Sequence, residues 1–101
     1  MAEKTMMEVL RADCPAAAAA IESLFATLLE RPALDGKTKQ LVYIAAAASA
    51  GHVRGVPQHA ARARALGATR DEVLETLLMT LPAAGLGPLS QCLPAAMAVF
   101  D

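Results

Sequence analysis

No segment of this chain alternates apolar and polar residues between turn signals, while apolar residues recur throughout at spacings of three, four, seven and eight. That spacing follows the pitch of an α-helix, and its exclusive use predicts an all-helical fold without a sheet. Ile21, Leu24, Phe25, Leu28 and Leu29 make the widest such stripe. A short first helix is expected over residues 3–11, with Met6, Met7 and Leu10 as its apolar side. Asp13-Cys14-Pro15 reads as a helix start, a capping side chain followed by a proline whose missing N–H costs nothing in the first turn. Arg31-Pro32 ends that helix. Asp35 caps the next, which buries Leu41, Val42, Ile44, Ala45 and Ala48 and stops at Gly51. Lys37 and Lys39 sit at the wrong end of its dipole, so they are expected in solvent or paired with Asp35 or Glu30.

The stretch Gly51 to Pro57 holds two glycines and a proline and is the irregular part of the chain. A helix is expected from about Pro57 to Gly67. Thr69-Arg70-Asp71-Glu72 is a capping box with acidic residues in the first turn, the strongest local signal present. The helix it opens carries Val73, Leu74, Leu77, Leu78 and Leu81, until Pro82 bends or ends it. Gly85, Gly87 and Pro88 are expected as a loop, with Ser90 capping a last helix that bears Leu93, Met97 and Phe100. Five or six helices result, in a single domain spanning residues 1–101.

What these helices pack against is a matter of composition. Of 101 residues, 55% are apolar, but about a quarter are alanine and only Phe25, Tyr43 and Phe100 are aromatic. Mass scaling gives roughly 5,400 Å² of folded surface against about 15,000 Å² unfolded, a burial of about 64%. Alanine lets helices approach closely but buries little area. An apolar chain this short exposes apolar surface or covers it with copies of itself, and a homo-oligomer is the expectation. Met6, Met7, Met79 and Met97 read as filler of that core or interface.

Charge and cysteine usage exclude other classes. Nine basic residues against ten acidic ones, with no basic block, leave no footprint for nucleic acid. The longest run of apolar and small residues, Leu41 to Gly51, is about half a membrane span, and the first residues carry no signal-peptide core, so no membrane partner is expected. Cys14 and Cys92 form no zinc pattern and are expected as buried free thiols of a cytoplasmic protein.

The order of signals is familiar in one respect. LDGKTKQLVYIAAAASAG, an irregular turn, then a histidine followed by ARARALGATRDEVLETLL resembles the carboxymuconolactone decarboxylase superfamily, which includes the alkyl hydroperoxidase D-like proteins. The similarity covers about residues 32–100 and is most specific at the LDGKTK helix start, at the HxxxAxxxGATxxEVxE block from His59 to Glu75, and at the late glycine pair. It implies an all-α helical bundle assembled as trimers or hexamers. In the peroxidase-like branch, a glutamate on the LDGKTK helix and a histidine relay protons to a Cys-x-x-Cys thiolate. Carried onto this chain, the histidine is His59, the glutamate position holds Gln40, and the two cysteine positions hold His52 and Gly55. No thiol remains and the amide cannot act as a base, so a thiol peroxidase is rejected. The decarboxylase branch uses no such thiols, but its carboxylate has no match here, and Gly55 offers no side chain where that branch usually carries a polar group.

The candidate site is therefore His59, His52 and Gln40 for catalysis, with Arg54 and Tyr43 for substrate binding. An imidazole titrating near 6.5 serves as acid or base near neutrality. Arg54 matches a carboxylate. Gln40 can orient His59, and Tyr43 either lends its hydroxyl or packs in a core or interface. His52 and His59, seven residues apart, would stand about 10.5 Å apart in rise on one helix, too far to share a metal bound at about 2.0–2.1 Å. No metal and no cofactor are implied. Two readings stay open. One is an enzyme acting on a small organic acid or lactone by His-mediated proton transfer, as a decarboxylase or isomerase. The other is a catalytically silent oligomeric scaffold or small-ligand-binding protein.

Overall fold

The computed structural model describes residues 3–101, and among them there is no strand. Seven helices follow one another: α1 Met6–Asp13, α2 Pro15–Glu30, α3 Gly36–Ser49, α4 Val56–Ala65, α5 Arg70–Leu78, α6 Leu81–Ala84 and α7 Gly87–Ala98, with a 3₁₀ turn Val53–Gly55 leading into α4. The chain divides into two units, one ending at Ala33 and the other running from Leu34 to Asp101.

The first unit is the hairpin of α1 and α2. Its opening differs from expectation. Thr5 caps α1: its hydroxyl accepts from the Glu8 amide while the Glu8 carboxylate accepts from the Thr5 amide. Thr-x-x-Glu is a capping box, so the helix starts at residue 6 and runs on to Asp13. Asp13 thus ends α1 instead of capping α2. The residue before α2 is Cys14, which is exposed rather than buried and makes no side-chain cap; Pro15 alone marks the start. Arg11 and Glu22 join the two helices by a 2.8 Å ion pair. Ala18 is the one buried residue of α2, while Leu24, Phe25, Leu28 and Leu29 are each at least half exposed.

The second unit packs α3 against α4, α5 and α7, with α4 and α5 also lying on α7. Ile44, Val56, Val73, Leu77 and Cys92 are its largest fully buried side chains, and Ala60, Ala63 and Ala96 fill the gaps between them. Burial pushes the Cys92 thiol above the usual thiol range.

Its helix ends follow local chemistry. The Asp35 carboxylate accepts from the Thr38 amide at 2.8 Å, and Thr69 and Glu72 form the expected reciprocal box. Gly51 and Gly67 turn the chain out of α3 and α4 with φ of 82° and 99°, a region that suits glycine. Three expectations are corrected. Lys37 pairs with Glu72 at 2.9 Å, not with Asp35 or Glu30, because the N-termini of α3 and α5 meet. α5 ends at Leu78, before Pro82, which instead sits in the first turn of α6. α7 begins at Gly87 with Pro88 in its first turn; Ser90 lies inside the helix and its hydroxyl donates to the Gly87 carbonyl. At the end of α4, Arg64 donates to the Val99 carbonyl at 2.8 Å and lies 5.7 Å from the Phe100 ring centre.

Candidate functional site

Two helices supply the site. Gln40 and Tyr43 stand three residues apart on α3 and so share a face. His59 is the fourth residue of α4, which packs on α3. Side chains lean toward a helix's N-terminus, so the His59 ring reaches back over residue 55, one turn earlier.

The contacts are close. His59 Nδ1 lies 2.7 Å from Gln40 Oε1, with Gln40 itself buried. An amide oxygen only accepts, so Nδ1 carries the hydrogen and Nε2 is left with its lone pair. The Tyr43 ring stacks on the imidazole with centres 3.8 Å apart and planes at 29°. Tyr43 remains 45% exposed, so this contact, not a core, is its packing. A Cβ placed on Gly55 would stand 3.7 Å from both His59 Cδ2 and the Tyr43 hydroxyl. Burial holds the His59 pKa below its usual 6.5, and the Arg62 charge pushes the same way.

Of the five residues predicted from sequence, three meet here: Gln40, Tyr43 and His59. His52 and Arg54 are exposed in the connection before α4, and among the described residues neither is hydrogen-bonded, ion-paired or stacked with the other three. The His52 amide donates to the Ala47 carbonyl at 2.8 Å, which fixes its backbone and leaves its ring in solvent. Sequence reasoning missed Arg62 and marked Gly55 only as a missing side chain. Gly55 matters through what it lacks, and Arg62 through its charge; the three-residue spacing from His59 to Arg62 on one helix was the available signal. A shallow groove of about 410 Å³ between α3 and α5, lined by Leu41, Glu72, Glu75, Thr76 and Met79, contains none of these residues. No group of three His, Cys, Asp or Glu among the described residues is placed to hold a metal, and no helix there is long and apolar enough to cross a membrane.

The sequence profile of the carboxymuconolactone decarboxylase family matches residues 15–98. The chain belongs to that family. The match begins at Pro15 and so includes α2, which the motif resemblance from residue 32 onward did not. A crystal structure of a candidate carboxymuconolactone decarboxylase from Burkholderia xenovorans LB400 superimposes with a TM-score of 0.86 over 96% of this chain and 76% of that one, at 20% identity. The all-helical fold is therefore that of the carboxymuconolactone decarboxylase family. No curated protein matches the sequence. Within the family frame, the positions aligned by motif as 40, 55 and 59 adjoin in space: the amide at 40 touches the imidazole at 59, and the bare Cα at 55 faces it.

Proposed function

We propose that this family member acts on a small organic acid or lactone by proton transfer through His59. The observation that carries the reading is the 2.7 Å contact from Nδ1 to the buried Gln40 amide, which puts the hydrogen on Nδ1 and leaves the basic lone pair on Nε2. A neutral imidazole near pH 7 is a competent base, and a depressed pKa keeps it neutral. In an isomerisation, Nε2 takes a proton from the carbon beside a carbonyl and returns it at the other end of the resulting enol. In a decarboxylation, Nε2 first takes the proton of the carboxyl group, CO₂ leaves as its bonding pair passes to a conjugated carbonyl, and the imidazolium so formed returns that proton to the carbon left behind. Tyr43, fixed by stacking, offers its hydroxyl to the substrate oxygen. Arg54 and His52, exposed ahead of α4, would meet the substrate's carboxylate if the bound state draws them in.

The amide at position 40 favours a second reading. Gln40 can hold His59 but cannot accept its proton, so the pair also suits a catalytically silent protein that only binds a small ligand. Either way the exposed face of α2 supports assembly with further copies, as a trimer or hexamer. Titration with a panel of small carboxylates, lactones and peroxides, following the His59 ring by NMR and product formation in parallel, separates the readings. Turnover with His59 shifts supports the enzyme, shifts without turnover support the binding protein, and a silent His59 sinks both.

A further inference from the structure

We propose that Gly55 sets the specificity of this site: the space left by its missing side chain, between the Cδ2 edge of His59 and the Tyr43 hydroxyl, receives the carbonyl end of a small ligand. The proposal rests on the proton-transfer reading above and adds what the site admits.

The other glycines either have a local reason to lack a side chain or face open space. Gly51, Gly67 and Gly85 have positive φ, so the backbone demands them. A Cβ on Gly36 would press to 3.3 Å from a Leu66 methyl, so packing favours the hydrogen there. Neither reason applies to Gly55. Its φ of −85° and ψ of −8° suit any residue. A Cβ there would meet nothing closer than 3.7 Å, an ordinary contact. Gly87 shares that freedom but faces open space. Glycine also loses more chain freedom on folding than alanine does. The fold thus accepts a side chain at position 55, and what that side chain would cover is the imidazole edge and a phenol hydroxyl.

Those two groups define the ligand. Gln40 occupies Nδ1, so the edge of the ring that faces residue 55 is the Cδ2 side, with Nε2 next to it. Nε2 accepts a proton and the Tyr43 hydroxyl donates to an oxygen. Side by side they fit a compound whose carbonyl oxygen is one or two atoms from the hydrogen it gives up. The end that enters must be unbranched, because the niche is bounded by two rings in van der Waals range of a single atom.

The test uses Gly55→Ala and Gly55→Val beside the unaltered chain, with two probes. Diethyl pyrocarbonate labels an unprotonated imidazole nitrogen, and the label on His59 is read by peptide mass spectrometry. Pyruvate in D₂O reports proton abstraction through loss of its methyl proton signal. Gly55→Ala should keep a thermal midpoint at or above that of the unaltered chain, while labelling of His59 slows several-fold. Gly55→Val should lose it, with methyl exchange falling in step. Unchanged labelling in a folded Gly55→Ala or Gly55→Val overturns the niche, whatever the exchange shows. Slowed labelling with no exchange in the unaltered chain instead overturns the proton transfer of the preceding section and leaves position 55 guarding a site for binding only.

Discussion

His59 and Gln40 meet at 2.7 Å through Nδ1 and Oε1, across the packed helices α3 and α4. An amide stabilises the protonated and neutral rings to similar extents, whereas a carboxylate favours the charged one. Gln40→Glu should therefore raise the His59 pKa by roughly 1–3 units, the range for an opposite charge within contact distance. An NMR titration of the His59 ring signals measures it. A pKa that stays where it is would mean that the two side chains part in solution.

The same ring links folding to pH. Its pKa is lowered in the folded chain, first by burial and then by Arg62, so the unfolded chain binds more protons between the folded value and about 6.5. The sign follows: the contribution of His59 is fully present above pH 6.5 and is lost as pH falls through the folded value. Urea midpoints should decline as pH drops from 7 into that window. His59→Asn should flatten the decline there and leave the lower-pH fall, which belongs to the carboxylates, in place. A wild-type midpoint that rises on acidification would contradict the burial of this ring.

Most of the second unit was legible in the sequence, because its helix boundaries are written in local chemistry. Asp35, Gly51, Pro57 and Thr69 each act within one turn of where they stand, and the expected caps and stops are found there. Sequence and structure differ where a residue has two uses. Proline both ends helices and starts them, and Pro82 and Pro88 start them. Asp13 resembled a cap but ends α1, because Thr5 and Glu8 had already set that helix in register. Partners distant in sequence were out of reach of local reasoning: Lys37 finds Glu72 only because α3 and α5 pack. At the site, motif alignment identified Gln40 and His59, and Tyr43 followed from helix spacing. Gly55 was noticed as a missing side chain, and its meaning required knowing what faces it.

Glu72 has two duties. One oxygen accepts from the Thr69 amide and the other from Lys37, and together these hold its pKa below the usual carboxylate range, with the Lys37 hydrogen bond the largest cause. The Thr69 hydroxyl returns the favour to the Glu72 amide at 3.1 Å. Thr69→Ala should cost about 0.5–2 kcal/mol, as loss of an N-cap does. Chemical denaturation followed by far-UV circular dichroism measures it. Thr69→Ser, which keeps the oxygen, should recover most of the loss; equal destabilisation by both would point to the methyl group and not the cap.

The face of α2 bears on assembly. Leu24 and Leu28 are one turn apart, Phe25 and Leu29 stand beside them, and all four are 52–62% exposed. Burying one such side chain completely is worth about 1.5–3 kcal/mol, so even half-burial of four of them outweighs most surface ion pairs. A contiguous apolar face of this kind is rarely left in water. Sedimentation equilibrium on the unaltered chain should accordingly give a mass several times 10.5 kDa. A Leu24→Glu, Leu28→Glu double substitution puts two like charges on that face and should lower the mass toward a single chain. An unaltered chain that sediments at 10.5 kDa would show that the four large apolar side chains stay in water and that α2 is not an interface between copies.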